Sequence, residues 1–231
     1  MRNAKAIFIK QAVDIFKNRM VLIQFALFPV IAWVMTQFVA KADANIPDGM
    51  FVSLFATIYA GMTLTITSAG SIAEDRENKS LRLLVMAGVK PYEYLLGMVG
   101  FFLIASLFVS FVFALIGGFG VADTIKFIGA MMLGSMASLL LGATVGMLVP
   151  NQQAAAGLGM PIAMVLGFCP MVTMFNQTAE RLFSLVYTQQ LNLLVTNLSI
   201  NMTRSLTVML ANVIVFGLLF VIAYRTKGLR G

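Results

Sequence analysis

Six apolar stretches, separated by short polar segments, run along the chain. A helix needs about twenty apolar residues to cross the hydrocarbon core of a bilayer. A helix also satisfies its own backbone hydrogen bonds in lipid, and none of the stretches alternates as a barrel strand does. The predicted spans are Met20–Ala40, Met50–Ile72, Leu95–Gly117, Lys126–Val149, Ala154–Phe175 and Leu206–Tyr224. The sequence therefore predicts an all-α integral membrane protein that forms a single domain over residues 1–231.

Six spans place both termini on the same side of the membrane. Twelve of the sixteen Lys and Arg residues lie on the side of the termini and of the segment between the second and third spans, and four lie on the other side. Basic residues concentrate in cytoplasmic segments. We therefore predict a multi-pass protein of the cell membrane with both termini in the cytoplasm.

Residues 1–19 are too polar to span and predict an amphipathic helix. Its apolar side chains fall on one side of a helical wheel: Phe8, Ile9, Ala12, Val13, Ile15 and Phe16. The pattern is typical of a helix that lies in the inner membrane interface with its lysines toward anionic headgroups. A soluble helix packed on a partner protein is the alternative.

Residues 176–205 are also too polar to span, yet too apolar for a plain loop. They predict one or two short helices at the outer interface that re-enter the membrane before the sixth span. Such helices either close the outer end of a pathway or form a solvated cap.

Composition agrees with a membrane protein and narrows its chemistry. Hydrophobic residues make up 60% of the chain and charged residues 11%, whereas soluble domains carry about 25% charged residues. Basic residues that flank spans account for the net charge of +7, so no nucleic-acid partner is predicted. The partner that the composition does predict is the lipid bilayer.

The chain lacks the residues that several functions require. It has no histidine, and no Asp or Glu lies well inside a predicted span. This argues against an intramembrane hydrolase, a metal site and a proton-coupled carrier. No G-x-x-x-x-G-K-[ST] loop is present either. We therefore predict no enzyme activity, metal or cofactor in this chain, and energy for uphill transport must come from another polypeptide, although sodium coupling stays open.

Residues 71–94, between the second and third spans, carry eight of the 25 charges of the chain. Within them, residues 78–89 predict a short amphipathic helix that ends at Gly88 and Pro91. Its apolar side carries Leu81, Leu84 and Val85. A short helix of this kind, held across the ends of two spans, suits insertion into a groove of a cytoplasmic partner.

The stretch EDRENKSLRLLVMAGVKPYEYLLGM resembles the loop signature of permease subunits of type-2 ABC exporters. The shared positions form an acidic–Arg–Glu cluster, a leucine-rich turn and an acidic residue before Leu-Leu-Gly: Asp75, Arg76, Glu77, Leu81, Leu83, Leu84, Glu93, Leu95, Leu96 and Gly97. Lys79-Ser80 stands where the signature has Gly-Thr, and Met98 stands where it has Lys. The predicted topology of the whole chain also agrees with that family.

The resemblance implies that two permease units, identical or related, associate with two cytoplasmic ABC ATPase subunits that bind ATP and Mg²⁺. The segment 74–94 is then a coupling helix, and its expected contact residues are Asp75, Arg76, Glu77, Leu81, Leu84, Val85 and Glu93. We expect Glu77 to anchor the start of the short helix through the helix dipole. Leu84 and Val85 are expected to fill a groove of the ATPase.

Small residues recur at every fourth position of the fourth span, which predicts close helix packing through Gly134, Ser138, Gly142 and Gly146. Packing within one permease is favoured, and a seam between two permeases or a wall of the substrate path are the alternatives. In the second span, Tyr59, Thr63 and Thr67 share one face. They form either a weakly polar wall of a substrate path or hydroxyls bonded to their own backbone.

The fifth span contributes methionines, of which Met160 and Met164 are candidates for an adaptable substrate surface. Lipid-facing packing is the alternative.

The sequence thus favours the membrane subunit of a bacterial ATP-driven exporter for an amphipathic or hydrophobic substrate, such as a toxin or antimicrobial peptide, a drug or a lipid. A non-transporting peptide-sensing or immunity module is one alternative. An ion-coupled carrier or channel is another. A copurifying ATPase supports either of the first two, and transport into vesicles separates them.

Overall fold

The computed structural model describes residues 2–42, 46–47, 49–198 and 203–227. Within these ranges the chain is almost entirely helical and contains no strand. The α-helices are α1 (Arg2–Lys17), α2 (Arg19–Phe38), α3 (Met50–Ile58), α4 (Leu64–Glu77), α5 (Ser80–Met86), α6 (Pro91–Gly117), α7 (Val121–Leu148), α8 (Gln152–Phe175), α9 (Gln177–Leu182), α10 (Tyr187–Thr196) and α11 (Thr203–Lys227). The all-α prediction is confirmed.

Six segments of the described chain are long and apolar enough to cross a bilayer, which confirms the predicted number of spans. They are α2, the pair α3–α4, α6, α7, α8 and α11. A π-helical turn, Tyr59–Thr63, joins α3 to α4 within the second span. The second span continues to Glu77 and the third begins at Pro91, so the acidic–Arg–Glu cluster is the last turn of a spanning helix and not part of a loop.

The second and fourth spans form the centre of the bundle. About two thirds of their apolar windows (67% each) is buried, compared with 11% for the first span and 17% for the sixth. α4 packs mainly against α7 and α8, and α7 packs on its other side against α11 and α6. The first and sixth spans therefore lie at the periphery.

α1 lies across the start of α6 and is joined to α2 by a single residue, Asn18, whose side chain caps α2 by accepting from the Met20 and Val21 amides. The crossing is close because Gly97 has no side chain: a Cβ there would lie 2.7 Å from the Ala4 carbonyl oxygen. The buried face of this helix therefore sits directly on the third span.

The side of α1 that packs on the rest of the protein is not the whole of the predicted apolar face. The buried side chains are Ile7, Gln11 and Ile15, whereas Ile9 and Phe16 from the predicted face are exposed. A polar residue, Gln11, thus belongs to the packed face. Placement of α1 in the membrane interface stays a prediction.

The segment between the fifth and sixth spans forms α9, a 3₁₀ turn (Phe183–Leu185) and α10. α10 is buried among α7, α8, α3 and α11, and its Tyr187 and Leu191 side chains have no exposed surface. Residues 199–202 of the predicted segment 176–205 lie outside the described residues. Re-entry of these helices into the membrane stays a prediction.

Candidate functional site

α5 is held in place by a defined turn at each end. Lys79 adopts a left-handed backbone conformation (φ 57°) between α4 and α5, and Gly88 (φ 78°) follows α5. The ABC exporter signature has a glycine where Lys79 stands, and glycine adopts this conformation without a steric penalty. Pro91 opens α6, where its missing N–H costs no hydrogen bond. Glu93 completes this turn by accepting a hydrogen bond from the Lys90 amide at 3.2 Å.

The faces of α5 are not distributed as the sequence predicts. Leu81 is buried (1% exposed), and Leu84 and Val85 pack partly against the core of the same chain. The apolar side chains that point away from the protein are Leu83 (67% exposed) and Met86 (69% exposed). Spacing groups Leu81, Leu84 and Val85 on one side, but that side covers the ends of the spans instead of facing outward.

The Asp75 side chain connects its own helix, α4, to α1 and α6 at the end of the bundle that is predicted to be cytoplasmic. Its buried carboxylate forms an ion pair with Lys10 of α1 and accepts a hydrogen bond from the Tyr94 hydroxyl of α6 at 2.7 Å. Next to this contact, Gln11 Nε2 donates to Ser71 Oγ at 3.0 Å. The carboxylate expected to contact an ATPase is therefore engaged inside this chain.

Arg76 and its acidic neighbours join α4 to the turn between the fourth and fifth spans. Arg76 Nη1 donates to the Met147 and Val149 carbonyl oxygens, each at 2.6 Å. Glu77 accepts from the Gln152 backbone amide at 3.1 Å. The sequence predicts that Glu77 stabilises the N-terminus of α5 through the helix dipole. In the structure its carboxylate instead lies at the N-terminus of α8.

The sixth span joins the same assembly through Tyr224. Its hydroxyl donates to the Val89 carbonyl oxygen at 3.1 Å, and its ring lies 5.9 Å from that of Tyr94. Sequence reasoning missed Lys10, Tyr94 and Tyr224 as parts of this network. Only Gln11, a polar residue spaced four positions from both Ile7 and Ile15, gave a usable sequence signal that α1 packs through polar contacts.

The small residues of α7 line two close crossings. Gly142 and Gly146 face α4, where a Cβ on Gly146 would lie 2.5 Å from the Ala69 carbonyl oxygen. Gly134 leaves room for Leu191 of α10. Ser138 shares a 2.7 Å hydrogen bond with Tyr187, and both side chains are fully buried.

The hydroxyl face of the second span is turned into the bundle. Tyr59, Thr63 and Thr67 are 0%, 3% and 5% exposed. Thr67 Oγ1 donates to the Thr63 carbonyl oxygen of its own helix at 2.7 Å. The π-helical turn begins at Tyr59 and ends at Thr63. It packs on the fifth span, where Gly61 lies against Gly167. Sequence reasoning did not foresee this turn, and such turns are frequent at functional sites.

Met160 and Met164 are about half exposed on α8, at 50% and 47%. The structure therefore separates the candidate path residues: the methionines lie on the surface, whereas the hydroxyl face of the second span is internal. In the described part of the chain, no three His, Cys, Asp or Glu side chains are grouped to hold a metal ion.

Comparison with protein families gives a match over residues 15–224 to the model of the ABC-2 family transporter protein. The chain belongs to the ABC-2 family. The matched range includes the first five spans, the sixth as far as Tyr224, α5 and the contacts of Arg76, whereas Lys10 and Gln11 lie before it. No curated protein matches the chain. The family confirms the resemblance carried by the charged segment and makes the chain a membrane component of an ABC transporter.

Proposed function

We propose that this ABC-2 protein is the permease subunit of an ATP-driven exporter in the cell membrane. Two cytoplasmic ABC ATPase subunits supply the energy, and a second permease, identical or related, completes the complex. Family membership supports the permease role. The excess of basic residues on the side of the termini supports a cytoplasmic location for α5 and both termini.

The observation that carries the proposal is the pair of exposed apolar side chains on α5, Leu83 and Met86. Burial of one such side chain in a partner groove contributes about 1.5–3 kcal/mol. α5 continues directly from α4, whose last turn holds α1 and α6 through Asp75 and the turn between the fourth and fifth spans through Arg76. Displacement of α5 by an ATPase would therefore act on several spans together.

The cargo in this proposal is amphipathic or hydrophobic: a toxin or antimicrobial peptide, a drug or a lipid. The half-exposed Met160 and Met164 support a path along α8, since methionine adapts to varied apolar surfaces. Thr63 and Thr67 are buried in the bundle and contribute to such a path only in a conformation that exposes them.

The test introduces a charge on the exposed face of α5. Leu83→Glu and Met86→Glu should reach the membrane at the parental level but retain at least about tenfold less ATPase on copurification, because about 1.5 kcal/mol of apolar burial corresponds to a tenfold change in affinity. Leu185→Glu is the matched control, since its side chain is equally exposed (71%) but lies at the other end of the bundle.

If both α5 variants copurify with the ATPase and transport cargo into vesicles as well as the parent protein does, then α5 is not the coupling helix. Leu84→Glu is a poorer probe than the sequence indicates, because Leu84 packs on the core of its own chain. A stoichiometric ATPase without any vesicle transport by the parent protein would favour the peptide-sensing module.

A further inference from the structure

A polar pocket of about 700 Å³ opens at the end of the bundle opposite the termini. It lies between α9 with its following 3₁₀ turn, α10 and the first turn of α11. None of the candidate coupling or path residues lines it. The pocket is therefore separate from the coupling and path residues named above.

The floor of the pocket consists of two glutamines that are each 3% exposed, Gln189 and Gln190. Both amide oxygens are occupied: Thr173 Oγ1 donates to Gln189 and Ser205 Oγ donates to Gln190, each at 2.7 Å. Gln190 Nε2 donates to the Ser184 carbonyl oxygen at 2.6 Å. Gln189 Nε2 donates to no acceptor among the described residues and, unlike the fully enclosed unpaired atoms of the bundle, is accessible, so it is left to donate to a ligand.

The rim of the pocket is positively charged. Arg181 and Arg204 line it and are exposed, and neither guanidinium forms an ion pair within the described residues. Among the described residues that line the pocket, Glu180 is the single carboxylate. The planar fork of a guanidinium matches the oxygens of a phosphate and binds them through two parallel hydrogen bonds.

Exposed apolar side chains beside the pocket indicate its depth in the membrane. Phe175, Leu182 and Leu185 are 83%, 75% and 71% exposed; Phe175 ends α8, and the two leucines belong to the same segment as Arg181. Large apolar side chains at the end of a spanning bundle lie at the membrane interface, while neighbouring basic groups reach the headgroup layer. The phosphates within reach of Arg181 are therefore those of phospholipids.

We propose that this pocket binds the phosphate of an anionic phospholipid headgroup. Arg181 and Arg204 bind the phosphate oxygens, and Gln189 Nε2 donates to a headgroup oxygen deeper in the pocket. Leu193, which is 43% exposed at the pocket wall, contacts the apolar part of the lipid. The bound lipid fixes the segment between the fifth and sixth spans to its leaflet.

The test is a lipid titration of the full-length protein in detergent micelles, with bound lipid counted by native mass spectrometry. Phosphatidylglycerol is the probe and phosphatidylcholine the comparison lipid. Arg181→Gln and Arg204→Gln should each weaken phosphatidylglycerol binding about tenfold, since a charge-assisted hydrogen bond is lost in each case. Lys41→Gln is the matched control, because it removes one positive charge from the same side of the membrane outside the pocket.

Equal binding by the Arg variants and the Lys41→Gln control would overturn the proposal. So would displacement of the lipid by glycerol 3-phosphate at equimolar concentration, because the pocket would then be a site for free phosphate. If a glutamine variant fails to fold, Arg181→Lys with Arg204→Lys replaces it. This variant keeps the charge, loses the paired hydrogen bonds and should bind more weakly than the parent; parental affinity in it would contradict guanidinium recognition.

Discussion

The contact between the second and fourth spans depends on the missing side chain of Gly142. A Cβ at this position would overlap the Thr65 carbonyl oxygen and Ser68 Oγ, well inside normal contact distances. A serine side chain can rotate away, but the Thr65 oxygen belongs to the backbone of α4. The substitution Gly142→Ala therefore forces the two helices apart.

The cost of Gly142→Ala has two parts. Overpacking a tight core costs about 1–3 kcal/mol. Separation of the helices also weakens two hydrogen bonds between them, from Ser68 Oγ to the Leu139 carbonyl oxygen (3.1 Å) and from Thr65 Oγ1 to that of Ser138 (3.4 Å). Hydrogen bonds between spans average about 0.6 kcal/mol. We expect the free energy of unfolding to fall by about 1–4 kcal/mol.

Unfolding in bicelles by sodium dodecyl sulfate, followed by circular dichroism, measures this change. Gly129→Ala is the matched control, because it lies on the same helix and its added Cβ meets no atom within 4 Å. We expect the control to unfold no more easily than the parent and to gain up to about 1 kcal/mol, because alanine favours a helix more than glycine does. If Gly142→Ala, the control and the parent all unfold at the same fraction of sodium dodecyl sulfate, then close packing at this crossing does not hold the two spans together.

Two further predictions concern the cytoplasmic end of the bundle. Asp75→Ala removes the acceptor of the Tyr94 hydroxyl and the partner of Lys10, so we expect a loss of about 1–3 kcal/mol in the same titration. Asp14→Ala should change stability by less than about 0.5 kcal/mol, because its exposed carboxylate pairs with Lys10 only at 3.7 Å; equal effects of the two variants would contradict a role for the buried contact. A reporter fused after Gly231 should be active only in the cytoplasm, since basic residues concentrate on that side, and activity on the opposite side would refute the proposed orientation.

The spans were predictable because each is a local property of the sequence. A continuous apolar run in lipid has to be helical, whatever lies next to it. Polar residues at the ends of spans were harder to place: the sequence ended the second span at Ile72, but the helix continues to Glu77. Charges were read as a boundary, yet Asp75 and Arg76 stay helical because neighbouring elements bind their side chains.

The sequence was sufficient to recognise the charged segment as a family motif, but not to tell which of its side chains are exposed. Its residues were sufficient to identify the family, which the match over residues 15–224 confirms. A helical wheel groups Leu81 with Leu84 and separates both from Leu83, but it does not show which side the rest of the protein covers. The structure covers Leu81, so Leu83 and Met86 are the exposed residues.

Helix packing within the bundle was also predictable only in part from the sequence. The stripe of small residues predicted close packing, because only small side chains let two backbones approach. Which helices meet there depended on the arrangement of the whole bundle: Gly142 faces α4, and Gly134 faces α10. The π-helical turn was not predicted from the sequence, and it lies where the second span packs against the fifth.

The sequence by itself determined the number of spans, the presence of a short helix between the second and third, and the family. Only the tertiary structure decided that Lys10 meets Asp75, 65 positions away, and that Tyr94 completes the contact. A buried carboxylate needs a charged or hydrogen-bonding partner, but any basic or hydroxyl group at the right place provides one. Hydropathy and periodicity are set by neighbours along the chain, whereas the choice of partner is set by which helix ends the fold brings together.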